Sequence, residues 1–221
     1  EQVRLQKELS HQAFHDPLTD LANRSLFWNR VEHALTLAHR SQQRVAVMFL
    51  DLDNFKNVND SLGHDAGDRL LQAAAQRLVK STRPSDTVAR LGGDEFAILL
   101  EGIRSDMDVE RIAVPITEAF NRPLLVDGRE TDATASIGAA CSQPGDDAEQ
   151  LLRKADIAMY NAKSAGKARC VLFQPHMQEQ LHDRLRLEQD IDLAFARDEF
   201  FVEFQPVVDL TSRELLGVEA L

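Results

Sequence analysis

Apolar residues along the first 173 positions of the chain follow two alternating patterns. Spacings of three and four residues, as in Phe27, Val31 and Leu35, indicate helices with one buried side, and Leu37 is expected on the buried side of the same helix. Short unbroken apolar runs, such as residues 44–50, indicate buried strands. The predicted helices lie near residues 24–37, 65–78, 107–120 and 148–165, and the predicted strands lie at 44–50, on both sides of Gly92-Gly93, and at 131–140 and 171–173. One helix followed by β-α-β-β-α-β with additions predicts an α+β, ferredoxin-like fold, with a mostly antiparallel central sheet flanked by helices.

The two ends of the chain differ from this central pattern. Residues 1–14 are charged and helix-prone, with Leu5, Leu9 and Ala13 four residues apart, and are interpreted as the end of an incoming helix. From about Gln174 a polar helix is predicted over residues 176–197, and a new apolar pattern begins near Phe200. We therefore expect a domain boundary near Gln174. Because the chain starts without Met, a sensor or membrane anchor further upstream is also expected.

Composition restricts the class of protein. With 43% apolar residues the chain can bury a core, and no apolar stretch approaches the ~20 residues that cross a bilayer. A net charge of −11 argues against binding to a nucleic acid polymer. Cys141 and Cys170 lack metal-type spacing and are expected to be reduced, which favours a cytoplasmic location.

The clearest chemical signal is the run Gly92-Gly93-Asp94-Glu95. Two glycines allow a tight hairpin turn and a close approach of another molecule to the backbone. Two adjacent carboxylates repel each other unless a cation lies between them, and a hard ion such as Mg²⁺ suits their oxygens. Asp51 and Asp53 end a predicted strand, so pairing of that strand with the hairpin would bring Asp51 opposite Asp94 and provide a site for metal-assisted phosphoryl transfer. The alternative for Asp94 and Glu95 is that they form a solvated hairpin tip, and the alternative for Asp51 or Asp53 is that it caps the end of the strand.

Two further pairs of polar residues are candidates for nucleotide binding. Asn59, in a predicted loop that closes at Gly63-His64, and Asp68, early in the next helix, can together read a guanine edge. Both residue types are also common in loops and at helix starts. Lys163 and Lys167 lie one turn apart near a helix end, where they can neutralise phosphate or complement the helix dipole.

Several ordered motifs resemble the GGDEF diguanylate cyclases, and the resemblance covers about residues 14–173. The main motifs are residues 51–60 (DLDNFKNVND), 63–68 (GHDAGD) and 92–96 (GGDEF), with similar signatures at 16–19, 136–138 and 155–163. The resemblance implies a nucleotidyl-cyclase palm that joins two GTP molecules into cyclic di-GMP and releases two pyrophosphates. Because each protomer binds one GTP, it also implies that turnover needs a homodimer.

The resemblance also implies roles for single residues. Asp51 and Asp94 would bind Mg²⁺ (or Mn²⁺) with the Leu52 carbonyl, Glu95 would support the metal, and Asp94 would also be the base for the 3′-hydroxyl. Asn59 and Asp68 would bind guanine, with His64 nearby. Gly92 and Gly93 would allow the nucleotide to approach the backbone. The phosphates would be held by Lys56, Lys163 and Lys167. The family more often has Arg where this chain has Lys167, so a point charge replaces a bidentate fork.

A regulatory site and a second domain are expected on the same basis. Arg83 and Asp86 match the family's RxxD inhibitory site for cyclic di-GMP, although they can also simply cap a turn. Residues 204–210 and 217–221 resemble the start of an EAL phosphodiesterase domain, in which Glu219 would be a metal ligand. The remaining EAL ligands are not in the chain, so no phosphodiesterase activity is expected from it, and the parent is expected to be a tandem GGDEF-EAL protein. The expected division is a signalling helix (1–14), a GGDEF domain (15–173), a linker helix (174–198) and an EAL fragment (199–221).

Two other functions stay open at this point. The first is a GGDEF module that binds GTP or cyclic di-GMP and regulates an attached phosphodiesterase. The second is a cyclase that makes a mononucleotide, against which the guanine pair and the RxxD site argue. The complete set of Asp51, Asp94, Glu95, Asn59 and Asp68 favours catalysis.

Overall fold

A computed structural model describes residues 11–41, 43–126, 129–131 and 133–221 of the chain. These residues form two compact units, which divide between Met177 and Gln178. The predicted signalling helix at 1–14 falls mostly outside the described residues. The first unit contains α1 (Arg24–Ser41), β1 (Arg44–Leu52), α2 (Phe55–Leu62), α3 (His64–Ser81), β2 (Thr87–Gly92), β3 (Glu95–Ile103), α4 (Asp106–Phe120), β4 (Leu124–Val126), β5 (Arg129–Thr131), β6 (Ala135–Cys141), α5 (Ala148–Ser164) and β7 (Cys170–Leu172).

The central sheet has five strands in the order β2-β3-β1-β6-β7. The first three pairings are antiparallel, and only β6 and β7 run parallel among the described strands. Strands β1, β2, β3 and β6 therefore have the ferredoxin-like arrangement, to which β7 adds one edge strand. The predicted α+β fold with a mostly antiparallel sheet is confirmed.

Both faces of the sheet are covered, which explains why β1 reads as an unbroken apolar run. Met48 and Leu50 point to the face that packs against α3 and α4. Val45 and Val47 point to the opposite face, which packs against α1 and α5. Because side chains alternate along a strand, every second residue of the run is buried in one core and the residues between them are buried in the other. The two cores fix β1 at the centre of the molecule.

Three local predictions were wrong. The Asn- and Asp-rich stretch after β1 is not a loop but the short helix α2, which starts after Asn54 in a left-handed conformation (φ 60°). Strand β6 begins only at Ala135, while Thr131 ends β5 in a separate hairpin with β4. Leu37, predicted on the buried side of α1, is 44% exposed, because Ala34 and Ala38 occupy that side instead.

The second unit contains most of helix α6 (Pro175–Ala196), followed by the hairpin of β8 (Phe204–Val208) and β9 (Leu215–Ala220). The side chains of both strands are exposed, including large apolar ones such as Phe204 and Leu216. In the part of the chain that the structure describes, no helix has both the length and the apolar character needed to cross a membrane.

Candidate active site

The site is built where β1 ends beside the β2–β3 hairpin. Asp51 is aligned with Glu95 on one side and with Ser136 on the other, and the Leu52 amide donates to the Asp94 carbonyl at 3.3 Å. The hairpin turns through Gly93 at φ 54°, a left-handed conformation that glycine adopts without steric cost. The strand that carries Asp51 therefore pairs with the hairpin, but the register places Asp51 opposite Glu95 and not, as expected, opposite Asp94.

Asp51 has an electrostatic environment that disfavours an unpaired charge. Burial raises the pKa of its carboxyl above the ordinary value; the hydrogen bond from Lys163 opposes this, and the charge of Asp94 raises the pKa further. Lys163 Nζ lies 2.7 Å from Asp51 Oδ2. Because burial and the charge of Asp94 both disfavour an ionised Asp51 carboxyl, a bound cation would stabilise it.

The donors at this point suit a hard metal ion. Asp51, Asp94, Glu95 and the Leu52 carbonyl offer oxygen atoms, which Mg²⁺ prefers. Among the described residues, no group of three or more His, Cys, Asp or Glu side chains is arranged to hold a metal on its own. Mg²⁺ is commonly bound by one or two carboxylates together with substrate phosphates and water. The residues present therefore fit a Mg²⁺ ion that enters with a nucleotide.

Asp53, the neighbouring strand-end acid, is used differently. It is 5% exposed and accepts hydrogen bonds from the hydroxyls of Thr134 and Ser136, both at 2.7 Å, and from the Ala168 amide at 3.1 Å. Its two oxygens are thus occupied by protein donors. Asp53 links β1, β6 and the turn after α5, whereas Asp51 faces the candidate metal site.

The hairpin is held in place by two arginines that sequence reasoning did not select. Arg90 donates to both oxygens of Asp16, at 3.1 and 3.2 Å, and to the Gly93 carbonyl, at 2.8 and 3.1 Å. Arg24 donates to the Leu91 carbonyl at 3.3 Å, and its guanidinium lies 3.7 Å from the Glu95 carboxylate. Burial raises the pKa of Asp16, but the hydrogen bonds from Thr19 and Arg90 outweigh it and leave the pKa lowered. The sequence feature that could have predicted the role of Arg90 is its position two residues before the Gly-Gly turn.

The candidate guanine pair lies on α2 and α3. Asn59 is on α2, not in a loop, and its Oδ1 atom is buried without a hydrogen-bond partner. It lies directly over Gly67 of α3, where an added Cβ would be 1.9 Å from that oxygen. Asp68 follows Gly67 and is exposed, as is His64 at the start of α3. The structure therefore places the Asn59 side chain against Gly67, the residue that precedes the exposed Asp68.

The three candidate phosphate-binding lysines differ in what they contact. Lys163 contacts Asp51, as described above. Lys167 Nζ donates to the Asn54 side-chain oxygen at 2.9 Å, so it lies beside the loop between β1 and α2. Lys56 is exposed on the first turn of α2. Lys163 and Lys167 therefore both reach the end of β1.

A cavity of about 530 Å³ adjoins the hairpin on the side of α1 and α5. Apolar side chains form most of its wall, and charged groups of both signs lie at its edges. These charged residues are Arg24, Glu95, Glu149, Arg153 and Asp156.

The Arg83/Asp86 pair forms a closed turn before β2. Asp86 Oδ2 accepts from the Arg83 amide at 3.0 Å, so Asp86 does cap this turn. Burial raises the pKa of Asp86, and the contacts with Arg83 lower it only in part. The Arg83 side chain is exposed, and the pair borders a cavity of about 430 Å³ that Arg30 also lines. The capping role is present, and the arginine side chain is free to contact solvent.

The sheet order and the carboxylate-bearing hairpin define a domain of the nucleotidyl-cyclase palm type. Residues 13–169 match the family described as diguanylate cyclase, GGDEF domain, and the chain belongs to this family. It is also 40% identical to the bifunctional diguanylate cyclase/cyclic di-GMP phosphodiesterase MucR of Pseudomonas aeruginosa over 221 residues, which are 99% of this chain and 32% of MucR. The chain thus spans about a third of the length of that relative.

Solved structures agree with this assignment. The GGDEF domain of TpbB (YfiN) from Pseudomonas aeruginosa superimposes with a TM-score of 0.73 at 40% identity, covering 76% of this chain and 99% of that one. The coiled coil and GGDEF domain of DgcB from Caulobacter crescentus, in complex with cyclic di-GMP, gives a TM-score of 0.68 at 29% identity, covering 76% of this chain and 92% of that one. The recognition of a GGDEF domain is confirmed.

Proposed function

We propose that the chain is an active diguanylate cyclase that condenses two GTP molecules into cyclic di-GMP and two pyrophosphates. The observation that carries the proposal is the position of Asp51 at the end of β1 opposite the carboxylate-bearing hairpin, where burial and the charge of Asp94 both raise the pKa of its carboxyl and so favour a bound cation. A Mg²⁺ (or Mn²⁺) ion bound there would neutralise phosphate charge and lower the pKa of the attacking hydroxyl. Asp51, Asp94, Glu95 and the Leu52 carbonyl would hold it.

The reaction forms two phosphodiester bonds. In each, the 3′-oxygen of one GTP attacks the α-phosphorus of the other, the bond to the β-phosphate breaks, and pyrophosphate leaves. Asp94 is the candidate acceptor of the 3′-hydroxyl proton. Each protomer supplies one GTP, so two sites must face each other in a homodimer.

Substrate selection follows from the residues around α2 and α3. The accessible Asp68 carboxylate would accept from the N1 and N2 hydrogens of guanine, the Asn59 side-chain amide would donate to a guanine acceptor, and His64 lies at the start of the same helix. Gly92 and Gly93 leave room for the nucleotide. The lysines at positions 56, 163 and 167 supply positive charge for the phosphates.

Synthesis is tested by incubating the chain with GTP and Mg²⁺ and measuring cyclic di-GMP and pyrophosphate, with Asp94→Ala beside it. We expect product from the wild type and none from the variant. An inactive wild type that still binds GTP at high protein concentration would contradict the catalytic proposal.

Product inhibition is proposed as a second property of the domain. The exposed Arg83 side chain and the adjoining cavity support binding of cyclic di-GMP beside Asp86. Titration of cyclic di-GMP should inhibit the wild type strongly and Arg83→Ala weakly. Equal binding and equal inhibition in both proteins would contradict this role.

A regulatory module attached to a phosphodiesterase is the second candidate function. The similarity to MucR, whose name includes both activities, extends over 99% of the chain and so includes the residues after 173. We propose that residues 199–221 belong to an EAL domain, joined by a linker helix over 174–198, with Glu219 as a metal ligand. The exposed apolar side chains of β8 and β9 support a larger surrounding fold. GTP-dependent stimulation of a phosphodiesterase in a tandem protein, without cyclic di-GMP synthesis, would favour this candidate.

A further inference from the structure

The turn that follows α5 has a backbone conformation that its residues do not favour. Gly166, Lys167 and Ala168 all have positive φ angles, of 109°, 62° and 50°. Glycine accepts this region readily, but a residue with a Cβ is strained there because the Cβ comes too close to the following carbonyl oxygen. Two successive non-glycine residues in this region need support from the surrounding structure.

Asp53 supplies that support from across the sheet. Its Oδ2 accepts from the Ala168 amide at 3.1 Å, although the two residues are 115 positions apart. The same carboxylate is fixed by the Ser136 and Thr134 hydroxyls at 2.7 Å and is 5% exposed. The Lys167 amide is held locally by the Ala162 carbonyl at 3.0 Å, so the buried Asp53 carboxylate is the acceptor that ties the Ala168 end of the turn to β1 and β6.

The turn carries Lys167 towards the candidate phosphate region. Its ammonium reaches the Asn54 side-chain oxygen at 2.9 Å, and Asn54 is itself left-handed at φ 60°. An ammonium group has three N–H donors, so two stay available for phosphate oxygens when one is held by Asn54. Lysine lacks the planar fork that orients an arginine, so its position depends on the backbone that presents it.

We propose that Asp53 is a positioning residue for triphosphate binding, which acts through the Ala168 amide and the Lys167 ammonium without touching the nucleotide. This rests on the proposed role of Lys167 as a phosphate-binding residue. Asp53 should therefore affect ligands with β- and γ-phosphates more than ligands that present mainly guanine.

The test is a double-mutant cycle of Asp53→Ala and Lys167→Ala, with Kd measured for 3′-deoxy-GTP, which cannot form the 3′ bond, and for GMP. We expect each single variant to weaken 3′-deoxy-GTP about tenfold, as removal of outer hydrogen-bond partners does at metal sites. GMP binding should change less than about twofold, and the double variant should be no weaker than Lys167→Ala, because both act through one group.

Two variants separate positioning from general damage. Asp53→Asn can still accept from the Ala168 amide, so it should restore most of the affinity. Asp146→Ala is the matched control, because Asp146 also accepts from a backbone amide (Gln143, 2.8 Å) and from a side-chain donor (Lys154 Nζ, 2.7 and 2.8 Å), near the start of β1 instead of its end. It should leave both affinities unchanged. If Asp53→Ala melts below the assay temperature, Ser136→Ala replaces it in the cycle, with an expected loss of about threefold.

The outcomes distinguish this role from the cyclase activity. Selective, non-additive loss of 3′-deoxy-GTP binding supports the positioning role even if the wild type makes no cyclic di-GMP. Equal losses for GMP and 3′-deoxy-GTP, or additive losses in the double variant, overturn it even if the wild type is an active cyclase.

Discussion

Gly67→Ala separates the stability of the fold from the recognition of guanine. Gly67 lies inside α3, where alanine normally stabilises a helix by about 1 kcal/mol relative to glycine. The added Cβ would lie 1.9 Å from Asn59 Oδ1 and 3.2 Å from Phe55 Cζ. Asn59 must therefore rotate away, at a cost of about 0.5–1.5 kcal/mol for an unfavourable side-chain angle.

These two effects nearly cancel, because the displaced oxygen has no hydrogen bond to lose. The free energy of unfolding should change by less than about 1 kcal/mol, which corresponds to a shift of about 2–4 °C in melting temperature for a domain of this size. Guanine binding should respond differently. Leaving a base-edge acceptor unpaired costs about 1–3 kcal/mol, which is roughly a 5- to 150-fold increase in the Kd for GTP.

The assay is thermal unfolding followed by circular dichroism, together with equilibrium binding of GTP, for Gly67→Ala, Asn59→Ala and the double variant. The double variant should bind GTP no more weakly than Asn59→Ala, since the glycine acts only through Asn59. A fall of more than about 10 °C in melting temperature with unchanged GTP affinity would refute the reasoning.

Three further predictions concern stability and reactivity. Gly138→Ala should destabilise the domain by about 3 kcal/mol or more, because the new Cβ would lie 1.9 Å from the Met159 backbone nitrogen. Urea unfolding measures this loss of stability, and an unchanged unfolding midpoint would contradict the prediction. Asp51→Asn should raise the melting temperature of the ligand-free protein at neutral pH, since burial, opposed by Lys163, raises the pKa of this carboxyl. Cys141 and Cys170 should react slowly with Ellman's reagent at mildly alkaline pH and fast in urea, because burial raises the pKa of both thiols to about 12.

The pH dependence of the Asp51 effect has a definite sign. A group whose pKa is raised on folding stabilises the folded state while it is protonated, and this contribution is lost as the pH rises through the folded-state pKa. The advantage of Asp51→Asn over the wild type should therefore disappear below about pH 4, where the carboxyl is protonated in both states. An advantage that persists at low pH would show that the effect is not due to ionisation.

The sequence predicted the sheet and its helices because both depend on local periodicity. The alternation of Val45, Met48 and Leu50 between two cores has a direct signature in β1. Helix α2 was missed because its Asn and Asp residues resemble a loop, and its start depends on the left-handed conformation of Asn54. Local composition does not encode that conformation.

The candidate site likewise contains some residues whose role local sequence predicts and others whose role it does not. Asp51, Asp94 and the glycines belong to short motifs whose chemistry can be read from neighbouring residues. The roles of Asp53 and Arg90 depend on partners far along the chain, since Asp53 meets Ala168 and Arg90 meets Asp16 only after the sheet forms. A single sequence gives the residue types at these positions and no information about which of them meet.

The link from Asp16 through Arg90 to the Gly93 carbonyl determines where this domain can be joined to another protein. Although α1 starts only at Arg24, the turn over residues 15–22 pairs with β2 through a bridge between Ala22 and Ala89. A chimera joined at α1 would delete Asp16 and leave a mostly buried guanidinium, 12% exposed, without its carboxylate beside the hairpin. A domain from another protein should therefore be fused before His15. The transferred GGDEF domain then keeps this turn, even though the turn adds no strand to the sheet.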